Sequence, residues 1–155
     1  MGNRSARVWG AALAVMVAMV LAACESAGDQ RVGELVGSWS QADSDSWVED
    51  AMPIETVLIT SDVEREEWID AMDGADELDP LRDVDLSENV LVIGGYHRCV
   101  EYSLVLLEAG ALEFVVTIDK EDENTHCSWS PYTVDAWAVP LEATGGEVPE
   151  LHSEP

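Results

Sequence analysis

The chain has 155 residues, room for one ordinary domain. Its 32 Asp and Glu against 7 Lys and Arg give a formal net charge of −25. A field of that sign repels nucleic acid and anionic lipid surfaces, which argues against DNA or RNA as a partner.

The first 23 residues read as an export signal. Arg4 and Arg7 give a basic start, and residues 8–23 then run 16 positions without a charge. That run is shorter than the roughly 18–20 apolar residues a membrane-spanning helix needs, and it ends in small residues. Its close, Leu21-Ala22-Ala23-Cys24, resembles the lipobox of bacterial lipoproteins. The resemblance implies cleavage before Cys24, lipidation of its sulfur, and a chain held by this lipid at the extracytoplasmic face of a membrane. Arg4 and Arg7 leave with the signal, so of 7 basic and 32 acidic side chains 5 and 32 remain, about −27.

Residues 24–50 are polar and acidic and read as a flexible tether. Trp39 and Trp47 interrupt it and are expected to pack back onto the domain. The domain proper is expected over 51–142, with a disordered acidic tail over 143–155. It reads as α+β: one small antiparallel sheet of about four to five strands, one packed helix and one disulfide.

Residues 54–60 are rich in β-branched side chains and predict a strand. Ser61 with Glu64 forms a capping-box pair, opening a helix that runs to about Asp73 and ends at Gly74. Its inner face is expected to carry Val63, Trp68, Ile69 and Met72. Residues 73–85, acidic and broken by Pro80, read as a loop. Residues 89–94 form a strand apolar on both faces. A hairpin follows, turning at Ala109-Gly110-Ala111. Val100, Tyr102, Leu104 and Leu106 are expected on one face, matched by Leu112, Phe114, Val116 and Ile118. A last strand covers 132–141.

Cys99 and Cys127 remain once Cys24 is lipidated. An exported domain with two cysteines usually pairs them. The hairpin brings both to one end of the sheet, so a bridge is reachable; closing that loop contributes about 3–4 kcal/mol in the chain-entropy model. His97 and His126 lie beside the two cysteines, but the spacing does not suit a tetrahedral zinc site, and the disulfide is the preferred reading. Asp83-Val84-Asp85 opens like a calcium loop, yet Glu88 stands where the turn needs glycine and Gly94 where it needs the bidentate Glu. Weak calcium binding there or at Glu121-Asp122-Glu123 is the most these carboxylates suggest. No cofactor is implied. Nucleophile elbow, zinc-protease helix and phosphate-binding glycine loop are all missing, so a non-catalytic protein is expected.

Trp68 in the helix, Gly94-Gly95-Tyr96, Pro131-Tyr132 and Val139-Pro140 resemble the marks of small exported lipoproteins related to the protease-complex subunit PrcB. The resemblance covers a little over half the chain and departs at Ile93, where those proteins usually have threonine. It implies a supporting or stabilising role toward an envelope protein such as a protease. Gly94, Gly95, Tyr96, Trp129 and Tyr132 are the candidate partner-binding residues. Two readings stay open for them. The glycines mark either a strand bulge with Tyr96 packed over it or an interaction loop. The aromatics form either an exposed hot spot or core. The expected function is an anchored interaction module, with a cation- or small-ligand-binding lipoprotein that uses its acidic loops as the alternative.

Overall fold

A computed structural model describes residues 30–43, 46–72 and 76–152. The signal segment, Cys24 and the helix-ending Gly74 lie outside the described residues. Within them, eight strands form two four-stranded sheets. The strands are β1 Gln30–Val32, β2 Glu34–Ser40, β3 Val57–Ile59, β4 Asn89–His97, β5 Tyr102–Glu108, β6 Ala111–Thr117, β7 Tyr132–Pro140 and β8 Glu150–His152. One sheet runs β1-β5-β6-β8 and the other β2-β7-β4-β3. Pairing is antiparallel apart from β6 with β8. Three short helices, α1 Ser46–Ala51, α2 Asp62–Ala71 and α3 Asp79–Arg82, complete an α+β fold.

The two-sided apolar pattern of β4 has a direct cause: its sheet is covered on both faces. Leu91 and Ile93 face the helices, in a core with Trp39, Trp47, Val48, Ile59, Ile69, Leu78 and Leu81. Val90 and Val92 face the other sheet, in a second core with Val32, Val105, Leu112, Trp137 and Val139. Period-two alternation in the centre of a sheet sends successive side chains to opposite layers, and both layers here are dry. Trp39 and Trp47 do pack back. Their rings meet edge to face at 5.8 Å, Trp47 meets Trp68 in the same way at 6.2 Å, and Trp39 Nε1–H donates to the Glu77 carbonyl at 2.8 Å.

Ser61 caps α2 as its sequence indicates. Its hydroxyl accepts from the Glu64 amide at 3.3 Å, and the Glu64 carboxylate reaches back to the amide and hydroxyl of Thr60 at 2.8 and 2.9 Å. These hydrogen bonds hold its carboxyl below the usual carboxylate range. The expected inner face needs one correction. Val63 is 68% exposed and Arg65 is buried in its stead. The Arg65 guanidinium ion-pairs with Asp62 at 2.8 Å and donates to the carbonyls of Leu81 and Val84 at 3.3 and 3.0 Å. It thereby adds a donor to the Leu81 carbonyl, which also accepts from the Val84 amide at 3.4 Å, and supplies one to the Val84 carbonyl.

The acidic stretch 73–85 is therefore not simply a loop. From Asp76 it winds into a 3₁₀ turn and then α3, with Pro80 in the first turn and Leu78 and Leu81 fully buried.

The hairpin forms, with its register one residue from expectation. Ala109 and Gly110 are its two central residues, both with positive φ (50° and 90°), and Glu108 pairs with Ala111. A two-residue turn places Ser103, Val105 and Leu107 opposite Val116, Phe114 and Leu112, so these are the inward residues of β5. Tyr102, Leu104 and Leu106 lie on the other face. A one-residue slip exchanges the two faces of a strand, and β5 is apolar enough on both to conceal it.

Strand number and domain ends are also corrected. The expected tether becomes ordered strand from Gln30 onward: β1 pairs with β5, β2 with β7. Each is an edge strand whose exposed residues, Leu35 apart, are polar, which gave it the look of a linker. The expected tail returns as β8 beside β6, with Leu151 packed against the inter-sheet core. Cys99 and Cys127 are bonded, their Cα atoms 5.9 Å apart, within the usual span of a disulfide. Among the described residues no helix is long and apolar enough to cross a membrane.

Candidate functional site

The sheets part at one end to leave a cavity of about 450 Å³. Its wall comes from β1 and β2, from the end of β4, from the start of β5 and from the middle of β7. Arg31, Tyr96, Arg98, Ser103, Asp135 and Trp137 line it, with Glu34 at β2. The chain enters this region by changing sheets at Gly33, whose φ of 84° is easy only for glycine. A Cβ there would also press within 2.9 Å of the Ala138 carbonyl oxygen.

A polar chain crosses the inner wall. Trp137 Nε1–H donates to Ser103 Oγ at 2.9 Å, and Ser103 O–H donates to Asp135 Oδ2 at 2.5 Å. Tyr96 O–H donates to the same oxygen at 2.8 Å. Asp135 is only 3% exposed, and among the described residues its Oδ1 has no hydrogen-bond partner. Burying a carboxylate is costly unless hydrogen bonds or charges compensate it, so this network commits two donor side chains, Ser103 and Tyr96, to one acid, with Trp137 holding Ser103 from behind. Burial, and then the charge and hydrogen bond of Asp135, push the Tyr96 phenol well above its ordinary range; the nearby Arg98 charge opposes this. Tyr102, which donates to Asp119 at 3.2 Å, is raised by burial first and then by that bond, with Arg31 acting in the opposite sense. Arg31 also lies over the Trp137 ring, 5.5 Å from its centroid.

The structure divides the residues singled out from the sequence. Gly94 and Gly95 stand in regular register opposite Asp135 and Val134, with no bulge. Each leaves room for an aromatic ring, on opposite faces. Phe114 fills the space at Gly94, where a Cβ would meet its Cε1 at 2.7 Å, and Tyr132 fills the space at Gly95. Tyr96 is buried on the inter-sheet face, 6.4 Å from the Phe114 ring. Tyr132 is buried on the helix face, where its hydroxyl accepts from the Ile54 amide at 2.8 Å. Trp129 alone among these aromatics is outside, 61% exposed. It stands two residues from Cys127 in the segment between β6 and β7. Turn bonds from the Asp122 and Thr125 amides to the Asp119 and Asp122 carbonyls, both 2.8 Å, and the disulfide hold that segment.

The His97 and Tyr132 rings meet edge to face with centroids 5.2 Å apart, and His97 Nδ1 sits 3.1 Å from the Ser130 carbonyl oxygen. The Asp85 carboxylate is occupied by the Ser87 amide and hydroxyl at 2.9 and 2.6 Å, which lower its carboxyl from the usual range. Among the described residues no group of three His, Cys, Asp or Glu is arranged to hold a metal ion, at the candidate calcium segments or elsewhere.

Sequence reasoning missed Arg31, Arg98, Ser103, Asp135 and Trp137 as a group. One signal was available: Asp135 is the only charged side chain in β7, a strand otherwise built of apolar and hydroxyl residues. A carboxylate in such a strand must be paired, hydrogen-bonded or functional. No protein-family model matches the chain, and neither a curated protein nor a solved structure does.

Proposed function

We propose that the chain is a lipid-anchored, non-catalytic interaction module on the extracytoplasmic side of a membrane, docking onto an envelope protein such as a protease. Cys24 carries the anchor in this reading, and the disulfide-tied segment between β6 and β7 makes the contact. The observation that supports it is Trp129. Trp39, Trp47 and Trp137 are buried, whereas Trp129 is 61% exposed beside a cross-link. A large aromatic on a braced segment suits an interface anchor, because little further ordering is lost on binding. The likeness to PrcB-related lipoproteins points to the same role. Tyr96 and Tyr132, both buried, serve the fold in this reading and leave the contact to Trp129.

The test is an in-cell crosslink of the tagged, full-length lipoprotein, with the recovered envelope proteins identified by mass. One protein recovered near stoichiometry from wild type and lost with Trp129→Ala supports the docking role. Equal recovery with Trp129→Ala overturns it. The intact mass of the mature chain tests the anchor: a diacylated or triacylated Cys24 at the N-terminus is expected, and any other N-terminus sinks that part.

A further inference from the structure

The inter-sheet cavity has a charge arrangement that the docking role leaves unused. After Cys24 the chain carries five cationic side chains, Arg31, Arg65, Arg82, Arg98 and Lys120. Arg65 is ion-paired with Asp62, and Arg82 with Asp79 and Glu66. Arg31 and Arg98 form no ion pair among the described residues, although acidic groups outnumber them greatly, and both line this cavity. Arg31 lies over the Trp137 ring, 5.5 Å from its centroid, and the Arg98 charge lowers the proton affinity of the Tyr96 hydroxyl in the wall. The opposite pole lies in the same space: Glu34 in the lining, and Asp135, buried, with one carboxylate oxygen unpartnered.

Two guanidiniums with no ion-pair partner among the described residues are suited to a carboxylate, which they bind by paired, charge-assisted hydrogen bonds. An unpartnered buried carboxylate oxygen calls for a donor. A volume of about 450 Å³ falls in the ordinary range of small-ligand pockets. We propose that the cavity binds a small zwitterion of amino-acid to dipeptide size, its carboxylate on Arg31 and Arg98 and its ammonium toward Asp135 and Glu34. The site is separate from the Trp129 segment and from the acidic loops, and it stands whether or not the docking role does.

Calorimetric titration of the full-length lipoprotein in detergent tests it. The probes are unmodified amino acids and dipeptides, followed by the N-acetylated and C-amidated forms of the best binder. Saturable one-to-one binding is expected, weakened about tenfold or more by blocking either end and by Arg98→Gln or Arg31→Gln. Both arginines are exposed, so these variants should melt with wild type and leave the reading independent of folding. Trp129→Ala should bind as wild type does, which separates this site from the docking surface. Absence of binding across the panel overturns the proposal, as does equal affinity for the blocked forms.

Discussion

The ring of Phe114 rests on Gly94, across the gap between the two sheets. A methyl group at Gly94 would meet Cε1, Cδ1 and Cζ of that ring at 2.7–2.8 Å. The glycine is thus the hollow in one sheet that admits a projection from the other. Gly94→Ala should destabilise by about 1–3 kcal/mol through overpacking, read as a lowered urea midpoint at unchanged slope. If Gly94→Ala matches wild type, the sheets do not meet as described.

Tyr96 couples stability to alkaline pH. Its phenol titrates higher in the folded chain than the ordinary 10.0, so the folded state holds this proton more tightly than the unfolded one. The resulting stabilisation is complete below about pH 10 and is lost as pH rises from there toward the folded value. Tyr96→Phe should cost about 1–2 kcal/mol at neutral pH, from the lost bond to Asp135. The variant should also show a shallower fall in stability above pH 10, keeping only what Tyr102 contributes. Denaturant melts at pH 8 to 11 on both proteins check the sign.

Arg65 should be the least replaceable cation. Arg65→Ala strands the Val84 carbonyl, removes one donor from the Leu81 carbonyl and leaves a void beneath α3, for a loss of about 2–3 kcal/mol. Arg65→Lys should recover only part of this, because a single ammonium cannot serve Asp62 and two carbonyls in the fork geometry of a guanidinium. Thermal melts of the two variants, with Arg82→Lys as a surface comparison, give the ranking.

Reduction of the Cys99–Cys127 bridge, or the double change to serine, should lower stability by about 3–4 kcal/mol for a sequence separation of 28 residues. Trp129 emission should shift or broaden at the same time, since its segment loses a brace. A chain whose urea midpoint ignores reductant would contradict the cross-link's role.

How legible the sequence was depended on how local each feature is. The cap at Ser61, the two-sided burial of β4 and the hairpin rest on short-range spacing, and the cysteine pair on there being only two cysteines after Cys24; each is present. Features that depend on distant partners were hidden. β1 and β2 are edge strands whose polar exposed residues resemble a linker. Arg65 lies inside only because α3 offers it carbonyls from 16 and 19 residues away. Ser103 faces inward against its polarity because Asp135 and Trp137, 32 and 34 residues off, supply its hydrogen bonds. The cavity needs five strands at once, and periodicity within any one of them says nothing of the others.

Gly33 has a mechanical consequence. β1, three residues long, belongs to one sheet, and β2, seven residues long, belongs to the other, with this single glycine between them. Tension arriving from the segment before Gln30 would unzip β1 from β5 pair by pair, starting at Gln30 and Leu107. At Gly33 it would then pass to the longer ladder of β2 with β7, in the other sheet. The short strand would yield first, while β7, which also borders β4 in the sheet's interior, would be reached last. Because Arg31 and Glu34 flank that joint, a pull on the chain would open the cavity as it drew Val32 from the inter-sheet core, while the core beneath the helices was still intact.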